Sequence, residues 1–372
     1  MRDVPLTPTR LVSLDAFRGL TIAGMILVNN PGSWSYVYQP LRHAEWHGWT
    51  PTDLIFPYFL FVVGVAIPFS LRRRLETGAQ TSDLMRHVLR RSLILIALGI
   101  AMRAIPSFDW GEMRFYGVLQ RIGLVYLMAG AAYLYLGARG RVVFGVTLLL
   151  GYWIVMTFVP VPGFGAGDLS PDGNLAAWLD RLLMSGRLWQ GTWDPEGLLS
   201  TFPALVTSLL GIATGDWLRG NQSGEMKTRG MLIGGVLLAA LGLIWGLVLP
   251  INKSLWTSSF TLFTVGTALL LFGSMYWIID VKRFRGVWNT WMVVYGMNAI
   301  AVYVASGMVS KMLGRIRIGG EDSPSLYSWV YETVFRSWAG DVNGSLAFAL
   351  AYVGIWLGLM WVLHAKRVYI KI

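Results

Sequence analysis

The sequence predicts an all-α fold, a polytopic membrane helix bundle of about ten transmembrane helices with long outer loops, and three observations predict it. Only 14% of the 372 residues are charged while 55% are hydrophobic, whereas a soluble domain carries about a quarter charged residues. The apolar residues fall in long runs, each able to cross ~30 Å of hydrocarbon as a helix of ~20 residues. Lys and Arg concentrate in the segments between alternate runs, the pattern that orients helices in a bilayer.

The runs cover about 16–31, 53–71, 92–105, 117–136, 142–160, 198–217, 230–249, 258–279, 287–309 and 344–364. The first follows Arg18-Gly19 without a small-residue cleavage pattern and reads as a retained helix. The second opens at Asp53 and contains Pro57, Gly64 and Pro68, which membrane helices tolerate when neighbours satisfy the freed backbone groups. The third is short unless Arg90 and Arg91 snorkel to the interface. Arg139 and Arg141 separate the fourth from the fifth; Trp193–Gly197 precedes the sixth; Pro250–Trp256 joins the seventh to the eighth; Asn298 interrupts the ninth.

With the N-terminus inside, the cytoplasmic segments hold 19 Lys and Arg against 10 on the opposite side. Both termini are therefore expected in the cytoplasm, as an even number of spans also requires. The formal net charge of +11 is read as membrane orientation and not as a nucleic-acid partner. With no cysteine, disulfides, thiolate metal sites and thiol nucleophiles are excluded. The expected organisation is one membrane domain over 1–372, with three outer segments, 32–52, 161–197 and 310–343, too long to be simple turns.

Polar residues at membrane depth are costly and mark candidate sites. The densest group is Asn29-Asn30 with His43-Ala44-Glu45-Trp46-His47 and Asp53. An imidazole supported by a carboxylate suits proton transfer near neutral pH. The same residues also suit a wet interfacial loop, with Asp53 as a first-turn helix acid. The spacing is not that of a helical zinc motif, and no metal is expected. A second group is Gln120-Arg121 in the fourth span, whose guanidinium is expected to face the bundle interior and meet carboxylates, carbonyls or an anionic ligand, or else to form a structural ion pair. A third is Trp193-Asp194-Pro195-Glu196, which either caps a helix or binds a hydroxylated, amine-bearing ligand. Asn252-Lys253 and Asn298 complete the set. The Arg72-Arg73-Arg74 run is positive-inside charge that also suits the phosphates of a nucleotide-type cofactor.

In their order along the chain, Ser13–Gly19, Val28-Asn29, His43–Asp53 with Leu54–Pro57, Gly117–Gly123, Trp193–Gly197, Asn252–Trp256 and Gly296–Asn298 resemble the membrane domain of the heparan-α-glucosaminide N-acetyltransferase family. This resemblance implies an integral acyltransferase, a transferase that takes acetyl from cytosolic acetyl-CoA and delivers it to a glucosamine amine on the far side. It implies His43 as the active-site histidine and Asp53 as its supporting acid. Arg121, Gln120, Asn29 and Asn298 are then expected around the cofactor, and Trp46, His47, Trp193, Asp194, Glu196, Asn252 and Lys253 around the sugar. Transfer either proceeds directly, with His43 as base, or passes through an acetylated His43. With no N-terminal luminal domain ahead of the first span, the expected acceptor is a cell-wall amino sugar or free glucosamine rather than polymeric heparan. The expected location is a bacterial inner membrane, with the lipid bilayer as partner and a homodimer left open. An O-acyltransferase and an amino-sugar transporter are the rival readings.

Overall fold

The computed structural model describes residues 11–105, 110–111, 113–320 and 322–370. Arg2, Arg10 and Lys371, counted above among the cytoplasmic charges, lie outside the described residues. Helix α1 (Val12–Asn29) is followed by α2 (Pro51–Ile67), which runs through a π-helical turn at Pro68–Arg72 into α3 (Arg73–Glu76). Then come α4 (Thr81–Ala104), α5 (Val118–Tyr135), α6 (Ala138–Phe158), the short α7 (Leu175–Leu183), α8 (Thr201–Arg219), α9 (Gly224–Trp245) and α10 (Ser258–Tyr276). The chain finishes with α11 (Val287–Met297), α12 (Ala299–Arg315), the short α13 (Leu326–Val330) and α14 (Ser337–Ala339), and α15 (Asp341–Ala365). The strands among the described residues are two-residue β1 (Pro160–Val161) and β2 (Gly165–Ala166), an antiparallel pair.

A helix or helix pair stands at each of the ten predicted spans. Among the described residues, seven helices are long and apolar enough to cross a membrane, and eight if the bent pair α11–α12 counts as one. The other two, α4 and α8, are as long, with 24 and 19 residues, but more polar. The third span is longer than its apolar stretch: α4 begins at Thr81, so Arg86, Arg90 and Arg91 ride on a helix rather than in a loop. The ninth span is broken, with α11 and α12 meeting at 78°. Asn298 sits at the break with a non-helical backbone.

The helices pack in close pairs, α1 with α11, α2 with α8, α4 with α5 and α9 with α10. The first pair depends on two glycines. A Cβ on Gly19 would stand 1.7 Å from the Met292 carbonyl oxygen, and one on Gly296 would stand 1.9 Å from that of Asp15. Small residues let membrane helices approach closely enough for dispersion to hold them. The main apolar core, including Ile26, Phe59, Leu95, Leu119, Ile122, Phe260 and Tyr295, lies at the centre of the bundle. Helix ends alternate, so the segments after α1, α4, α6, α9 and α12 gather at one end, here termed the loop face. The Arg72–Arg74 turn and the C-terminal tail lie at the other, the basic face.

Candidate active site

The loop face is organised by the segment between α1 and α2. The Trp46 indole nitrogen donates to the Leu169 carbonyl at 2.8 Å, and the Gly48 amide donates to that of Ile251 at 2.7 Å. The buried Asn252 donates to the Trp46 carbonyl at 2.8 Å and lies 3.3 Å from His47 Nδ1. Trp46 and Trp193 pack edge to face at 4.9 Å between centroids. Three loops distant in sequence are thereby fixed to one another around His43.

His43 Nδ1 lies 2.6 Å from Asp53 Oδ1. Asp53 is buried in the first turn of α2, and its Oδ2 accepts the amides of Ala44 and Thr50 at 3.0 Å each. The carboxylate therefore caps the helix and supports the imidazole at once, joining the two roles left open by the sequence. Lys253 Nζ lies 3.4 Å from Asp53 Oδ1 and 2.9 Å from His43 Nδ1. One nitrogen cannot both donate to Asp53 and accept from Lys253. The 2.6 Å contact to a carboxylate places the Nδ1 proton in the Asp53 bond; in a neutral ring Nε2 then carries the lone pair, and Lys253 Nζ stands 3.4 Å from it. Burial pushes the Lys253 amine below its usual range, and burial also lowers the His47 pKa.

This triad forms one wall of a cavity of about 640 Å³ that also holds Asn29, Trp46, Gln120, Trp193 and Glu196. Its size falls within the range of pre-formed small-molecule sites. Gln120 is buried and, among the described residues, its Nε2 has no hydrogen-bond partner. A buried donor without a partner costs about 1–3 kcal/mol, and this one sits at the cavity wall. Gly99 makes room for it: a Cβ there would lie 2.3 Å from Gln120 Oε1.

Arg114 completes the far wall, a residue that local sequence does not single out. Its Nε and Nη2 bind Asp194 at 2.6 and 2.5 Å, and Nη2 also reaches Glu196. Asp194 is fully enclosed, and its oxygens also accept the amides of Trp189 and Glu196. Behind this segment, Arg121 is 1% exposed and lines neither major cavity. It holds the Gly197 carbonyl at 3.0 Å and the Ser200 hydroxyl, and lies 5.2 Å over the Trp256 ring. It braces the cavity wall. Next to it, Asp180 accepts the Leu198 amide at 3.0 Å. Burial pushes the Asp180 carboxyl up to about 6.

A second cavity of about 750 Å³ opens toward the basic face. Asp15, Arg18, Arg74, His87, Arg91, Tyr126 and the tail residues Tyr369 and Ile370 line it. Asn298 is adjacent but turned to the tail: its Oδ1 accepts the Ile370 amide at 2.8 Å and its Nδ2 donates to the Val368 carbonyl at 3.3 Å. The two cavities approach closely. Gly99 and Leu119 line the first, Leu95 and Ile122 the second. These neighbours are three or four residues apart on α4 and α5, about 6 Å or less of helix rise. Among the described residues, no cluster of three or more His, Cys, Asp or Glu is placed to hold a metal ion.

The structure thus gathers His43, Asp53, Lys253, Asn29, Gln120, Trp46, Trp193 and Glu196 around one cavity. His47, Asn252 and Asp194 lie just behind its wall, while Arg121 and Asn298 are braces for other segments. Arg18, His87 and Arg91 in the second cavity are not prominent in the sequence, because basic residues near span ends have a ready topological explanation.

Comparison with known proteins bears on this arrangement. The chain is 28% identical to heparan-alpha-glucosaminide N-acetyltransferase from Homo sapiens, over 98% of this chain and 60% of that protein. It is 28% identical to the protein of the same name from Mus musculus, over 79% of this chain and 53% of that protein. The chain therefore spans little more than half the length of these relatives. The family model described as heparan-alpha-glucosaminide N-acetyltransferase, catalytic, matches residues 10–245, a stretch that includes His43, Asp53, Gln120, Arg114 and Glu196 but ends before Lys253. On that match, across more than half of its length, the chain belongs to the heparan-alpha-glucosaminide N-acetyltransferase catalytic family.

Proposed function

We propose that this chain is a membrane N-acetyltransferase that moves acetyl from acetyl-CoA at the basic face to the amine of a glucosamine-type sugar at the loop face. The observation that carries this reading is the pair of cavities set end to end. One holds the His43–Asp53 pair and the other is rimmed by Arg18, Arg74, His87 and Arg91. Family membership supports acyl transfer and favours it over transport, since the relatives are named as N-acetyltransferases.

The basic cavity suits a nucleotide with several phosphates, because guanidinium groups bind phosphate through paired charge-assisted hydrogen bonds. When bound, acetyl-CoA would supply a thioester carbonyl open to attack. The residues of this chain do the rest. A sugar ammonium has no lone pair, so a base must remove its proton. His43 Nε2 is that base while Nδ1 donates to Asp53. The carboxylate keeps the ring in one tautomer and supports the imidazolium that forms. The unpartnered Gln120 Nε2 is the donor for the oxygen on which charge develops or for a sugar hydroxyl. Trp46 and Trp193 give the sugar an aromatic wall. The basic face is then cytoplasmic, in the inner membrane of a bacterium.

Proteoliposomes separate this from the transporter reading. Labelled glucosamine should become N-acetylglucosamine only when acetyl-CoA is supplied. Accumulation of unmodified sugar without acetyl-CoA would favour transport, and a base-labile ester product would favour O-acyl transfer.

A further inference from the structure

The loop-face cavity has a basic corner that acetyl transfer to unsubstituted glucosamine does not use. Arg103, in the last turn of α4, and Lys311, near the end of α12, both line it, together with Ser306, Gly307 and Ser310. The Arg103 guanidinium lies 5.4 Å over the Trp189 ring, whose centre is 5.1 Å from the Arg114 guanidinium. Among the described residues, the carboxylates whose charge acts on Arg103, those of Asp194 and Glu196, are both hydrogen-bonded to Arg114. Lys311 bonds the Met102 carbonyl, and the charged groups acting on it are Arg103 and Arg315. Among the described residues, neither Arg103 nor Lys311 has a carboxylate within ion-pair distance.

Two like charges lining one partly enclosed cavity repel each other, and an anion between them relieves that repulsion. The Trp189 ring holds the Arg103 plane while leaving its hydrogen-bond donors free to a ligand. The corner is built from α4 and α12, whereas His43 and Lys253 come from the segments after α1 and α9. A ligand spanning the cavity therefore presents one group to His43 and another to this corner. The volume of about 640 Å³ exceeds what one hexosamine ring fills.

We propose that Arg103 and Lys311 form a subsite for an oxyanion carried by the acceptor sugar, a phosphate, sulfate or carboxylate substituent remote from the amine that is acetylated. The inference rests on reading this cavity as the acceptor's. It deepens that reading by making the acceptor an anionic amino sugar.

Binding without acetyl-CoA tests the subsite independently of turnover. Purified full-length protein in detergent is titrated calorimetrically with glucosamine, glucosamine 6-phosphate, glucosamine 6-sulfate and inorganic phosphate. At least one charged sugar should bind ten-fold or more tightly than glucosamine, and more tightly than inorganic phosphate. In the R103Q/K311Q double variant, that preference should fall to about two-fold or less. The relative strength of phosphate and sulfate sugars identifies the oxyanion. Glucosamine binding as well as both charged sugars would overturn the subsite while leaving the acceptor cavity standing. Inorganic phosphate matching the sugar phosphate would overturn it too, as would a preference that survives in the double variant. No binding by any of the sugars would overturn both the subsite and the acceptor reading. The native protein alone decides the first comparison if the variant fails to fold.

Discussion

His43 and Asp53 meet at 2.6 Å because the same carboxylate that starts α2 turns its second oxygen to the amides of Ala44 and Thr50. The helix terminus thus fixes the acid, and the acid fixes the ring. An amide in its place keeps the shape but cannot accept at both oxygen positions. Asp53→Asn is therefore expected to lower kcat by about 100-fold or more. It should also cost about 1–2 kcal/mol through the weakened cap. Steady-state kinetics beside a thermal melt separates the two effects, and a loss of stability without a loss of kcat would count against the pairing.

Gln120 presents the opposite balance. Its Nε2 is buried without a partner among the described residues, so the side chain is held at a cost to the fold. Gln120→Leu should leave the melting temperature unchanged or raise it, by up to about 1–3 kcal/mol of stability. Acetyl transfer should fall by about ten-fold or more. A variant that is both fully active and more stable would show that this donor has no part in the reaction.

Arg114 is a structural prediction. Replacing it with Met leaves Asp194 and Glu196, 0% and 11% exposed, facing each other without a cation. Breaking a buried pair in this way costs about 3–5 kcal/mol. A large drop in melting temperature is expected for Arg114→Met. Replacing the exposed Arg86, whose partner Asp83 is also exposed, should change stability by less than about 1 kcal/mol.

Asp180 gives the fold a pH dependence. Burial raises its pKa from 3.8 to about 6, so the folded protein binds this proton more tightly than the unfolded chain does. The associated stability is fully present below about pH 4 and is lost as pH rises through about 6. The difference amounts to about 3 kcal/mol at most. Melting temperatures from pH 4 to pH 7, corrected for other groups by comparison with Asp180→Asn, should show a fall in the native protein that the variant lacks.

Much of this was legible before the structure, for physical reasons. The apolar runs mark helices because a bilayer demands them. His43 and Asp53 are ten residues apart, so a loop and a helix start can join them locally. Lys253 is 210 residues from His43, and only the resemblance to a family brings it to the site. The Arg114–Asp194 bond spans 80 residues, and charges near span ends read equally well as topology. Arg121 is a guanidinium at membrane depth that meets a carbonyl, one of the partners expected for it, and beside it a hydroxyl of the wall. Asn298 breaks the ninth span and clasps the tail, a contact between segments that no local pattern encodes. The basic cavity draws residues from α1, α2, α4, α5, α11, α12 and the tail, so its existence belongs to the packing alone.

The central claim is tested most directly by acetyl transfer from acetyl-CoA to glucosamine by the purified protein, beside His43→Ala. The predicted result is CoA release matched by N-acetylglucosamine, with a rate at least 100-fold lower in His43→Ala while that variant still melts as a folded protein. Undiminished transfer by His43→Ala would contradict the account.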